Sequence, residues 1–137
     1  MKAKYMFVLF CLLSFFELQS PTTISFDASG TGYTLNTDKT TATITSTGTY
    51  DLTGSLTDKQ IIVSSSCTIN LSSLTLSNSG SLTPILISES QEVELALIGE
   101  STLIDSSTNE NNGTIYLQSG ASLTISGEGT LNKILIN

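Results

Sequence analysis

The chain has 137 residues and a net charge of −7, with 5 basic residues, all lysine, against 12 acidic ones. That length suits one domain, and so few cations exclude nucleic acid and anionic membranes as partners, because neutralising phosphates takes clustered lysine and arginine. With no histidine anywhere, Ser-His-Asp and Cys-His catalytic groupings are excluded as well.

Residues 1–20, MKAKYMFVLFCLLSFFELQS, carry two lysines and then an uncharged run from Tyr5 to Phe16. This is the layout of a secretory signal peptide. The run is too short for a membrane-spanning helix, which needs about 20 apolar residues; an uncleaved anchor is the alternative. A lipoprotein role for Cys11 is opposed by bulky Phe10 before it and by the apolar residues after it. Three segments are expected: a signal peptide over residues 1–20, a polar entry segment over 21–40 and a β-rich domain over 41–137. The processed product is expected outside the cell, secreted or on the cell surface, with no membrane insertion after cleavage. Processing also leaves Cys67 without a disulfide partner, and its place between SSS and TINL suits a small half-buried filler.

The entry segment, TISFDASGTGYTLNTDKT, predicts one short strand around Thr22–Phe26. After it come brief stretches of apolar–polar alternation: ATIT, TYDLTG, TINLSSLTL, VELALIG and SLTISG. Period-two alternation rich in β-branched residues predicts half-buried strands, and clusters of Gly, Asn, Asp and Ser separate them. No stretch has helical periodicity, so the chain is expected to be all-β.

The short strands repeat. QIIV–CTINLSS–LTLSN is followed by PILI–VELALIG–STLID, then TIYL–SLTISG–GTLN, then a lone ILIN. The anchors Ile61, Ile85, Ile115 and Ile134 lie 24, 30 and 19 residues apart. Such periods suit the rungs of a parallel β-helix, a solenoid in which each rung buries its apolar side chains against its neighbours. About three to four rungs are expected, starting from TATITSTGTYDLTG, with the last one incomplete at the C-terminus. A β-sandwich is the competing architecture, but hairpin signals between paired runs are scarce.

The most polar tract, STNENNG, stands directly before TIYL. Short amides and glycine suit sharp bends, so Asn109, Asn111 and Asn112 are expected to turn the chain at a corner. Calcium takes six to eight oxygens from carboxylates, amides and carbonyls, and Asp105, Asn109, Glu110 and Asn111 could supply part of such a shell. The acids of ESQEVE suit a solvated edge that discourages sheet-to-sheet pairing. Tyr116 alternates with Ile115 and Leu117 and could face outward. Sequons place potential glycosylation at Asn70 and Asn112 in a eukaryotic host.

GTYDLTGSLTDKQIIV, TPILI, LIDSSTNENNGTIY and LTISGEGTLN resemble, in the same order, segments of a family of secreted carbohydrate-binding domains. The likeness covers roughly residues 42–132. It implies a right-handed parallel β-helix related in fold to pectate lyases, binding acidic polysaccharide such as polygalacturonate, or cellulose, with calcium as cofactor. Where the family carries an acidic step before Leu-Thr-Ile, this chain has QSGAS, without a carboxylate, and it stops at NKILIN where family members continue.

The lyase relatives raise the question of catalysis. β-Elimination at a uronate needs a base of lowered pKa and a cation; here the candidate bases are Lys39, Lys59 and Lys133, with Lys59 where the family motif has glycine. A hydrolase would need two carboxylates flanking a cleft, for which Asp51 and Asp58 are the available pair. Neither set is oriented by any motif, so no catalytic residue is assigned and a non-catalytic module is expected. Tyr116 is the candidate sugar contact. The alternative is a structural or adhesive surface solenoid with no sugar site.

Overall fold

The computed structural model describes residues 20–106, 113–132, 134 and 136. The expected leader, apart from Ser20, lies outside these, as do Asn109, Glu110, Asn111, Asn112 and Lys133.

Twelve strands and no helix are present among the described residues. They are β1 (Thr22–Thr23), β2 (Tyr33–Leu35), β3 (Thr41–Ile44), β4 (Thr49–Thr57), β5 (Gln60–Val63), β6 (Cys67–Asn78), β7 (Ile85–Ile87), β8 (Glu92–Ile98), β9 (Glu100–Asp105), β10 (Ile115–Leu117), β11 (Ser122–Gly127) and β12 (Thr130–Asn132). Two sheets form. The first runs β1-β4-β6-β8-β11, with β9 between β6 and β12; the second runs β10-β7-β5-β3-β2. From β3 to β8 the chain alternates between the sheets, and β9 and β12 follow β8 and β11 within the first sheet; from β3 onward each strand pairs with one from the next pass rather than with the strand that follows it. All the pairings between named strands are parallel except β2 with β3. A β-sandwich built of antiparallel hairpins is thereby ruled out.

The register stacks like on like. Ala42, Ile61, Ile85 and Ile115 are successive partners across β3, β5, β7 and β10, and all four are fully buried. Across the first sheet, Tyr50, Ile69, Leu95 and Ile125 form another such column, buried in its first three members. Parallel in-register stacking puts identical spacings over one another, so an apolar residue at one inward position meets an apolar residue at the next. Burying each such side chain contributes about 1.5–3 kcal/mol. One anchor moves: Ile115 bridges in parallel to Ile136, two residues beyond the expected Ile134. A two-residue shift keeps the same face of a strand inward, so the spacing signal could not separate the two.

Two features were not legible from alternation. CTINLSS and LTLSN are one strand, β6, whose first half pairs with β8 and second half with β9. It bends at Ser73, which has φ 50°, beside Gly54 (φ 83°) in β4 and Gly99 (φ 70°) between β8 and β9. The left-handed backbone at this bend lets the sheet turn a corner; the register slips there at Thr53/Gly54, and the pairing of β6 passes from β8 to β9. The second feature is the entry segment. The single strand expected near Thr22–Phe26 shortens to β1, and β2 adds an antiparallel strand on β3. Residues 20–40 thus cover the first edge of both sheets, their own Ile24 and Tyr33 being buried together with Tyr50 of β4. Tyr33 Oη accepts from Ser25 N at 3.0 Å and donates to Ala28 O at 3.1 Å. Tyr50 Oη donates to Ser46 O at 2.7 Å.

Candidate functional site

Alternation leaves each strand with an outward row, and the bend at Ser73 divides these rows among three faces. On the first arm of the first sheet, Thr49, Thr68, Glu94 and Thr124 are successive partners, as are Asp51, Asn70, Ala96 and Ser126. Asn70 Nδ2 donates to Asp51 Oδ1 at 2.7 Å, and Ser126 Oγ donates to Glu94 Oε1 at 2.6 Å. Thr68, Glu92, Glu94 and Thr124 line a shallow acidic depression here. On the second arm, Ser55, Thr75, Thr102 and Asn132 form a hydroxyl and amide row, with Asn132 Nδ2 donating to Glu100 Oε1 at 2.7 Å.

The outer face of the second sheet is different. Thr43, Ile62, Leu86 and Tyr116 are successive partners, each half-buried. QIIV, PILI and TIYL therefore carry apolar residues on both sides, although only the inward side is covered by the chain. Two residues further along the strands lies a polar row. Ser64, Ser88 and Gln118 continue the ladders of β5, β7 and β10, and the Ser64 and Ser88 hydroxyls are 3.4 Å apart.

The sequence candidates fall unequally on this frame. Tyr116 sits mid-strand in β10, outward, as alternation suggested. It is also the one aromatic side chain from residue 20 onward with a place in an outward row, because Tyr33 and Tyr50 are in the core and Phe26 lies under the Lys59 ammonium, 5.2 Å from the ring centre. Asp105 closes β9, half-buried and in register with Asn78; its proposed companions Asn109, Glu110 and Asn111 lie outside the described residues. Among those described, no three acidic, cysteine or histidine side chains come together in a way that could hold a metal ion. Asn70 is in the centre of β6 with its amide nitrogen engaged by Asp51, a poor position for a glycan; Asn112 is outside the described residues.

The candidate catalytic groups are dispersed. Lys59 Nζ donates to Lys39 O at 2.7 Å and Lys39 Nζ donates to Asp27 O at 2.6 Å, so Lys59 ties the first edge of the stack to the entry segment and Lys39 closes that segment on itself. Asp51 and Asp58 stand on opposite sides of the bend at Gly54. Asp58 turns the corner after β4 with φ 51°, its carboxylate accepting from Ser79 N at 2.8 Å and Ser79 Oγ at 3.0 Å. These two bonds hold its carboxyl below the ordinary value of 3.8, the backbone donor contributing most.

Cys67 begins β6, half-buried against the core, and burial pushes its thiol from an ordinary 9.0 up to about 11. The thiolate is the reactive form. The native protein is therefore expected to resist a thiol-labelling reagent at pH 8 and to react fully once unfolded in denaturant, with labelling followed by mass. Because the raised value is that of the folded state, this contribution to stability is intact below the unfolded thiol value and is lost as pH rises toward about 11.

Ile62 and Leu86 were missed by sequence reasoning, which took QIIV and PILI simply as buried strands. The available signal was the unbroken apolar run. Strands covered on one side alternate, whereas continuous runs belong to strands apolar on both.

A family model described as carbohydrate-binding domain-containing protein matches residues 38–134. The match begins in the turn before β3 and runs past β12, leaving β1 and β2 outside it. No curated protein and no solved structure matches the chain.

Proposed function

The chain belongs to the family of carbohydrate-binding domain-containing proteins, and on that premise we propose a non-catalytic, secreted or cell-surface module. It holds an acidic (polygalacturonate-like) or cellulosic polysaccharide on the outside of a right-handed parallel β-helix. The observation that carries this reading is the family match over residues 38–134, which spans the strands that pair in parallel from pass to pass. Parallel pairing across alternating sheets, like-on-like columns and a left-handed bend repeated in adjoining passes all support the solenoid. Such a stack displays long, flat outward rows at the strand spacing of about 4.8 Å, a surface suited to an extended polymer rather than to a small enclosed ligand.

Of the lysines that a lyase would need as bases, Lys39 and Lys59 are engaged by backbone carbonyls of the entry segment and Lys133 lies outside the described residues, and the acids Asp51 and Asp58 are separated by a corner. Both support a binding role. Calcium would draw on Asp105, Asn109, Glu110 and Asn111, since among the described residues no three acidic side chains gather; no binding step is derived through it.

Affinity electrophoresis of the secreted protein in gels containing polygalacturonate or a soluble cellulose derivative, with and without chelator, tests the proposal. Retardation in at least one gel is expected, and chelator sensitivity would tie calcium to it. Migration unchanged in every gel would instead leave a passive surface solenoid.

A further inference from the structure

We propose that the outer face of the second sheet is the glycan platform, with Ile62, Leu86 and Tyr116 as its apolar floor and an uncharged polysaccharide as its occupant; this rests on the carbohydrate-binding reading above. The strands beneath it are apolar on both sides, and the chain covers only one. A solvent-facing row in a sheet ordinarily carries polar side chains; the other two faces are mostly so, with Ile98 and Ile104 each standing in register with a serine. Here three consecutive passes place isoleucine, leucine and tyrosine in one outward row, and the row is half-buried rather than fully exposed.

The chemistry of the face selects the occupant. A pyranose ring has a C–H surface that packs on aromatic and aliphatic side chains, and a rim of hydroxyls. The floor supplies the first partner and the adjoining Ser64, Ser88 and Gln118 row the second, about 6.6 Å away along the strands at 3.3 Å per residue. The floor itself spans about 10 Å over three passes at the usual strand spacing, so the polymer would lie along the stacking axis.

Charge separates this face from its neighbours. β3, β5, β7 and β10 contain no charged residue, in a chain of net charge −7. The first sheet carries Asp51, Glu92 and Glu94 outward, which would repel a polyuronate within the Debye length of about 8 Å at physiological salt. An uncharged face offers no cation to a uronate and imposes no desolvation of charge on a neutral sugar.

The test compares wild type with Tyr116→Ala, Leu86→Ser and, as a control on the hydroxyl row, Thr75→Ala. Migration is read in gels of a neutral soluble cellulose derivative and of polygalacturonate; melting curves establish folding and light scattering gives the oligomeric state. Wild type and Thr75→Ala are expected to be retarded in the neutral gel regardless of chelator, with Tyr116→Ala and Leu86→Ser each weakened at least about tenfold while still folded. Should Tyr116→Ala not fold, Leu86→Ser carries the comparison. Undiminished retardation of both folded variants would overturn the platform while leaving sugar binding intact, as would retardation by polygalacturonate alone. A wild-type dimer that Tyr116→Ala dissociates would make the face a self-association surface and also overturn it. A wild type retarded by no gel would remove the carbohydrate reading, and this inference with it.

Discussion

Ile85→Ala is expected to destabilise the fold by about 2–5 kcal/mol, a large share of the 5–15 kcal/mol by which such domains are stable. Ile85 is fully buried and sits in the middle of its column, with Ile61 on one side and Ile115 on the other. Truncation opens a cavity whose walls are held by ladders on both flanks, so the neighbours cannot collapse into it. Leu86→Ala, one residue along the same strand, removes the same three carbons from the outward side, yet is expected to change stability by about 1 kcal/mol or less. Urea denaturation of the two variants checks the contrast. Equal losses would mean that the outward row is packed as tightly as the inward one, and that it has no free face to offer a ligand.

Asn78→Ala is expected to cost about 3 kcal/mol or more. Asn78 is buried to 1% exposure at the end of β6 and satisfies three backbone groups of Lys59 and Leu82. Its Oδ1 accepts from Lys59 N at 3.1 Å, and its Nδ2 donates to Lys59 O at 2.8 Å and to Leu82 O at 2.9 Å. Removing the amide leaves an N–H and two carbonyls without their partner in a part-buried corner, at about 1–3 kcal/mol for each group left unsatisfied. Asn78→Asp tests the chemistry rather than the shape. A carboxylate keeps the acceptor but loses both N–H donors, and it faces two carbonyl oxygens while standing in register with Asp105. The loss should match or exceed that of alanine at pH 7 and shrink at low pH, when a protonated acid regains one donor. Equal stability of Asn78→Asp and wild type across that range would show that the corner is held by something other than this amide.

These two residues also show where sequence patterning is informative. Ile85 was identified as an anchor because its neighbours at 61 and 115 recur in similar surroundings, and stacked coils demand such recurrence. Asn78 looked like any other residue of a Ser/Asn-rich turn, since nothing in the order SNSG reveals that its side chain folds inward to bond the preceding corner. Lys39 and Lys59 were similarly opaque. Sequence raised them as candidate bases, and their actual partners, two backbone carbonyls and the ring of Phe26, come from the entry segment folding back.

Order along the chain was enough to establish an all-β domain, strands that recur from pass to pass, and the inward column through Ile61, Ile85 and Ile115; for Tyr116 it allowed an outward position without deciding it. Each of these follows from periodicity, which is local and survives in one dimension. Other features depended on which strands lie side by side: the entry segment as an edge cover, the bend that makes one strand of β6, the shift from Ile134 to Ile136, and above all the alignment of Ile62, Leu86 and Tyr116 in one row. Residues 62, 86 and 116 are 24 and 30 positions apart, and only a pairing register, decided by corner lengths and the burial of the opposite side, can place them next to one another on a face left open to solvent.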